Sequence, residues 1–386
     1  MTLRGARIAV SATESSACDV AMRSGRITFA PHPDDEVLNV RGYLILPGLI
    51  NAHDHLEFAL FPRLGRGPYR NATAWAEDIY RPEQAPIRQH LQVPKAVRFF
   101  WGGIRNLLAG VTTVMHHNPY VPDVFRRRFP VRVVSRYGWA HSPRFSPDIA
   151  ERHRATPKAA PFILHACEGT DFEARGELRQ VDRAGALGRL TVIVHGVGID
   201  REGAALMKAR RAALVWCPTS NRFTLGRTLS QDALGSGMQV ALGTDSSLTA
   251  DGDMVDELDS ARRYADPVRV YEMVTRAAAE ILCLNRGEGG ITEGGVADLV
   301  VIRDTGGRPA DALAAFDPQL VIVGGRIKLS TPEMADRLGL GRLNLQPVHV
   351  EGRGIKLVDC DVRSMAQTAV AATGEELRLG GKLVTA

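Results

Sequence analysis

Between residue 48 and about residue 285, short apolar runs alternate with longer segments of helical periodicity, the pattern of repeated strand–helix units. The runs that read as buried strands are Gly48–Ala52, Val111–Met115, Val131–Tyr137, Phe162–His165, Leu190–His195, Ala213–Cys217 and Gln239–Thr244. Helical patterns lie between them at Ala96–Ala109, Glu173–Ala184, Arg201–Ala209 and Val268–Leu282. A closed (β/α)8 barrel needs one strand more than these runs supply. The polar, proline-bearing stretch Ser142 to Pro161 stands where a fourth strand belongs, so that strand is short and poorly marked, or the barrel is trimmed.

On either side the pattern changes. Residues 1–47 read as a small meander of strands, and strand patterns return at Ala297–Ile302, Gln319–Val323 and Arg326–Leu329. The expected architecture is therefore α/β. A TIM-type (β/α)8 barrel occupies 48–286, and a small β-sandwich is assembled from 1–47 plus 287–345. A C-terminal extension, 346–386, packs on either body.

Composition narrows the class. The chain has 386 residues, 45% hydrophobic and 24% charged, an ordinary globular balance. A net charge of +5 with no dense basic run argues against nucleic acid, although a mild positive field favours an anionic small molecule. Five scattered cysteines without a CxxC pair indicate neither a disulfide framework nor a zinc knuckle. With no signal-peptide pattern and no span of about 20 apolar residues, a soluble, cytoplasmic protein off the membrane is expected, with a homodimer as the default assembly.

The chemistry begins at Asn51-Ala-His53-Asp-His55. Two histidines at i and i+2 on a strand project to the same side, so one cation can take both. The pair follows a buried-looking run, which puts it at a strand's C-terminal end, where α/β barrels carry their active sites. His165, His195 and Asp245 each close a further apolar run. One polar residue at a strand end is ordinary. Several together form an N/O donor set suited to zinc or iron with a position left for water.

These segments resemble the amidohydrolase superfamily, in the branch of cytosine deaminase, guanine deaminase and the s-triazine hydrolases. The resemblance rests on Pro47-Gly-Leu-Ile-Asn-Ala-His-Asp-His55, Gly110-Val-Thr-Thr-Val, His165-Ala-Cys-Glu168, His195-Gly-Val-Gly, Cys217-Pro-Thr-Ser-Asn221, Gly243-Thr-Asp-Ser246 and the later Gly287 to Val301. It spans residues 1 to about 330. It implies His53, His55, His165 and Asp245 as metal ligands, with Glu168, Asp245 and His195 catalytic. Glu168 would be the acid/base, and His195 would stand beside the metal's water. The family's two-metal members add a lysine on the fourth strand. Lys95 and Lys158 close no apolar run, so one divalent ion is expected, zinc before iron.

Substrate contacts are less defined. His117, after the second strand, and Ser220 and Asn221 are candidates, as are Arg63 and Arg66 in the arginine- and aromatic-rich loop behind His55. Arginine there suits an acidic substituent on the substrate. The expected reaction is deamination of an amino-substituted N-heterocycle or amidine by metal-activated water. The alternatives are hydrolysis of an amide, lactam, imide or carbamate at the same site, and a non-catalytic binding protein. The absence of HExxH, of paired HxE and PCxxC, and of a phosphate-binding loop argues against other routes.

Overall fold

The computed structural model describes residues 1–386 and shows an α/β chain built around parallel strands. The parallel strands are β1 (Leu49–Asp54), β2 (Val111–His116), β3 (Arg132–Val133), β4 (Gly138–Trp139), β5 (Phe162–Ala166), β6 (Thr191–His195), β7 (Ala213–Trp216) and β8 (Val240–Leu242). They pair in parallel within two sheets, β3-β2-β1 and β4-β5-β6-β7-β8. Five helices bear on the site: α1 (Ala72–Ile79), α2 (Lys95–Leu108), α3 (Phe172–Arg183), α4 (Pro218–Leu225) and α5 (Met254–Ala261). No helix is long and apolar enough to cross a membrane.

The stretch expected to hold a fourth strand holds no separate one. Only Val134–Tyr137 lies between β3 and β4, whereas a crossover between parallel strands needs a dozen residues or more. β3 and β4 are therefore two ladder segments of one bent passage of chain. Val134 N donates to Val114 O on the β2 side, and Ala140 N donates to Ile163 O on the β5 side. The parallel set thus includes a fourth strand of only two residues, with no helix between it and β3. The apolar run Val131–Tyr137 was legible as one strand because it is one strand, with a bend.

β8 returns to β1: Thr244 N and Asp245 N both donate to His53 O, at 3.0 and 3.1 Å. Glycine is required beside that contact. A Cβ on Gly243 would lie 2.7 Å from His53 Cβ and 2.9 Å from its backbone N and O. Inside, Ile50, Met115, Ile163, Val192, Val194, Val215 and Ala241 fill a buried cluster, and the polar strand ends lie beyond it.

The remaining strands form two sheets. One is four-stranded, in the order Arg26–Thr28, Val20–Arg23, Thr2–Arg4, Val37–Asn39. The other has ten strands, including Arg7–Ala9, Tyr43–Pro47, Leu299–Arg303, Leu320–Val323 and Arg326–Ser330. Leu3, Val20 and Ile27 from the first share an apolar cluster with Ile8, Ile45, Leu299 and Leu320 from the second. Residues beyond 345 extend the ten-stranded sheet through Gln346–Val350 and Gly354–Val358. They also reach the loop after β8, where Gly252 N donates to Gly380 O at 2.7 Å, and Arg353 and Lys382 pair with Asp253 and Asp256.

A methyl group at Gly243 should overpack the β1–β8 contact. Gly243→Ala is expected to cost about 1–3 kcal/mol, read as a lowered Tm, and an unchanged Tm would show that the contact yields freely.

Candidate active site

Four ligand-type atoms converge where the strands end. His53 Nε2 lies 3.3 Å from His165 Nε2, and His55 Nε2 lies 3.4 Å from it. Asp245 Oδ1 is 3.5 Å from His53 Nε2 and 3.7 Å from His55 Nε2. His53 and His55 share a side because they alternate along β1. His165 closes β5, and Asp245 follows β8.

Hydrogen bonding decides what these atoms present to one another. His165 Nδ1 donates to the His141 carbonyl at 2.8 Å, so its neutral ring carries a lone pair on Nε2. Burial is the leading cause that lowers the pKa of His53, His55 and His165, with His55 pushed down to about 3. Three neutral imidazoles thus face one another and a carboxylate with too few protons to bond among themselves. A tetrahedral cation with bonds of about 2.0–2.1 Å sets its ligand atoms about 3.3–3.4 Å apart. The observed spacing fits a zinc-sized ion on this donor set. His53, His55 and His165 form one group of close ligand atoms, and His53, His195 and Asp245 form a second that shares His53 with it.

Asp245 is held for the purpose. Ser220 Oγ (2.6 Å) and Thr249 Oγ1 (2.9 Å) donate to Oδ2, and Ser246 N donates to Oδ1 at 2.7 Å. Asp245 (φ 57°) and His195 (φ 75°) both adopt the left-handed backbone region unusual outside glycine, a strain that accumulates at functional sites. His195 Nδ1 donates to Asn221 Oδ1 at 2.8 Å. Its Nε2 therefore faces the interior, 3.5 Å from Glu168 Oε2 and 3.8 Å from Asp245 Oδ2. Burial, reinforced by the charge of Asp245 and opposed by His195, pushes Glu168 up to about 7.

The turn carrying Glu168 is clamped from several elements. Cys167 is left-handed (φ 55°), its N–H donates to Glu177 Oε2 of α3 at 2.6 Å, and its carbonyl accepts from Gly198 N at 2.8 Å. Ala72 N, at the start of α1, donates to Glu168 O at 2.9 Å. Beneath β1, Asp54 is buried between the two histidines. Asn51 and Asn106 Nδ2 donate to its Oδ2 at 3.3 and 2.8 Å, and Arg105 Nη1 lies 3.7 Å from Oδ1. Arg105 also donates to the carbonyls of Gly252 (2.9 Å) and Asp245 (3.3 Å), which ties the ligand strand to the β8 loop.

His55, His165, Glu168, His195, Asp245 and Thr249 line one cavity of about 660 Å³. Other expected contacts lie elsewhere. His117 is fully buried behind His165, with ring centroids 4.2 Å apart and Nε2 donating to Ala140 O. Ser220 and Asn221 act through Asp245 and His195 rather than from the cavity wall. Arg63 pairs with Asp251 at 2.7 Å and lies over the Phe223 ring, and Arg66 borders a separate hollow with Tyr69 and Asp78. Neither arginine lines the cavity. Sequence reading missed His141, which does line it, because a two-residue β4 leaves no alternation to read. The Asn51–Asp54–Arg105–Asn106 network joins residues some 50 positions apart and leaves no local signal either.

Residues 148–328, which include β5 to β8, match the model of the amidohydrolase family. A 5-methylthioadenosine/S-adenosylhomocysteine deaminase of Thermococcus sibiricus is 24% identical over 334 residues, covering 69% of this chain and 76% of the relative. A 5'-deoxyadenosine deaminase of Methanobrevibacter smithii is 24% identical, with coverage of 69% and 74%. Among solved structures, an adenosine deaminase from Xanthomonas campestris with bound zinc superposes with a TM-score of 0.68 at 17% identity, covering 97% of each chain, and shares the fold.

Arg105→Met should leave Asp54 buried without its cation and cost about 3–5 kcal/mol in denaturant unfolding. Adding Asp54→Asn should recover part of the loss. Equal stability of wild type and Arg105→Met would remove Arg105 as the clamp.

Proposed function

We propose that this amidohydrolase is a metal-dependent deaminase that releases ammonia from an adenine-type nucleoside. It is a hydrolase of carbon–nitrogen bonds outside peptides, with His53, His55, His165 and Asp245 holding one divalent ion, zinc. The observation that carries the reading is the convergence of His165 Nε2 and Asp245 Oδ1 on His53 and His55, at 3.3–3.4 Å and 3.5–3.7 Å respectively, with Glu168 and His195 beside them in one cavity. The curated relatives supply the nucleoside class. The architecture is read as a closed barrel of seven passages, supported by the β1–β8 hydrogen bonds, beside a sandwich of the two remaining sheets.

When bound, a divalent cation supplies Lewis acidity that lowers the pKa of water from 15.7 to about 7. The chain's own groups move the protons. Asp245, its Oδ2 occupied by two hydroxyls, takes one proton from the attacking water. Glu168, held protonated to near neutrality, gives its proton to the ring nitrogen next to the attacked carbon. His195 has Nδ1 committed to Asn221, which fixes the ring so that Nε2 faces the site of attack. The carbon–nitrogen bond then breaks, ammonia leaves with the proton held by Asp245, and the hydroxyl proton of the intermediate returns to Glu168. A second carboxylic acid beside the nucleophile favours this sequence over simple amide hydrolysis, in which no ring nitrogen needs protonating.

Chelation should abolish ammonia release from adenosine-type substrates, and added zinc should restore it. Glu168→Gln should lower kcat by about 10²–10⁴ while metal per chain, read by elemental analysis, stays the same. Full activity of Glu168→Gln, or activity indifferent to chelation, would end the proposal.

A further inference from the structure

The cavity is larger than the chemistry at its floor requires. At about 660 Å³ it lies within the range of pockets that enclose a whole drug-sized ligand, so it leaves space for a substituent beyond the reacting ring. Its outer wall is made by α1, by the N-terminal half of α3 and by the segment after β4. This wall is apolar and aromatic through Phe58, Trp75, Ile79, Tyr80 and Phe145.

Its charge has one sign. Glu77, Glu168, Glu173 and Glu177 line the cavity, and no lysine or arginine does. Arg70, Arg81, Arg144 and Arg175, which flank the lining segments in sequence, are not part of the lining, and arginines of the neighbouring loops are engaged elsewhere. Arg63 is paired with Asp251, and Arg136 donates to the Lys158 carbonyl. Glu177 is spent on the Cys167 amide, and Glu168 belongs to the chemistry. Glu77 and Glu173 are different. Both are exposed at the mouth, and neither carboxylate has an ion-pair or hydrogen-bond partner within the chain. The crowding of negative charge is felt inside: burial first, and then the charges of Glu168 and Glu173 against the Cys167 N–H, push Glu177 up to about 7.

An anion entering at the mouth meets like charge between low-dielectric aromatic walls, with no lysine or arginine in the wall to offset it. A neutral group meets only the apolar wall, and a cation meets two free carboxylates and aromatic faces. We infer that the substrate's tail is uncharged or cationic, that carboxylate-bearing nucleosides are rejected, and that Glu77 and Glu173 determine this specificity. The inference rests on the proposed nucleoside chemistry and reverses the sign expected from the arginine-rich loop.

Three probes with the same purine and ribose test it on the zinc-loaded full chain: 5'-methylthioadenosine, 5'-amino-5'-deoxyadenosine and adenosine-5'-carboxylate. Calorimetry should show the carboxylate binding at least about tenfold more weakly than the thioether, with the amine as tight as the thioether or tighter. The gap should narrow as salt rises, because charges at the mouth are screened. The double variant Glu77→Gln/Glu173→Gln, with an unchanged Tm, should close the gap to within about twofold by the same electrostatic argument. Equal affinity for the carboxylate and the thioether, or a gap that survives the double variant, overturns the inference. Graded binding without ammonia release leaves the charge preference standing and sinks the deaminase reading, while failure to bind all three overturns both.

Discussion

Four ligand-type atoms, His53 Nε2, His55 Nε2, His165 Nε2 and Asp245 Oδ1, are held with contacts of 3.3–3.7 Å at the floor of the cavity. Left to themselves, such groups repel or protonate. Here burial disfavours protonation of the imidazoles, the histidines keep Asp245 ionised against its own burial, and the rest of the fold prevents separation. The His141 carbonyl fixes the His165 tautomer, two hydroxyls and an amide hold Asp245, and Asp54 with its asparagines and Arg105 stiffens the strand that bears the other two ligands. A divalent cation is the natural partner of this arrangement. Much of the surrounding buried polar structure can be understood as the cost of keeping it assembled.

The same constraint explains where backbone strain is tolerated. Cys167, His195 and Asp245 adopt positive φ at the ends of β5, β6 and β8, and each turn is pinned by hydrogen bonds from neighbouring elements. The strain aims Glu168, His195 and Asp245 at one region instead of along their strands. The chain beyond residue 345 contributes to this from a distance. Through Gly380 and the Arg353 and Lys382 ion pairs it braces the loop after β8, whose other side Arg105 grips.

Local pattern picked out the residues that converge because strand ends are local events. A run of apolar residues closed by histidine or aspartate is visible without any knowledge of neighbours, and the i, i+2 spacing of His53 and His55 follows from the pleat alone. The strand count was not legible in the same way. Val131–Tyr137 looks like one strand, and whether another follows depends on crossover length, which becomes clear only when its two ends pair with different neighbours.

By itself the sequence determined the alternation of strands and helices, the identity of the groups that could bind a cation, and the position of a carboxylic acid three residues past one of them. Tertiary structure decided that the fourth strand shrinks to two residues, that Asn221 and Ser220 hold His195 and Asp245 from behind, and that His141 faces the cavity. It also decided the sign of the cavity's charge. Composition gave a chain of net +5 and an arginine-rich loop beside the site, yet those arginines turn outward and glutamates from α1 and α3 line the wall. Charge along a chain is a sum over residues. The field in a cavity depends on which side chains point inward, and that is fixed only when the helices pack.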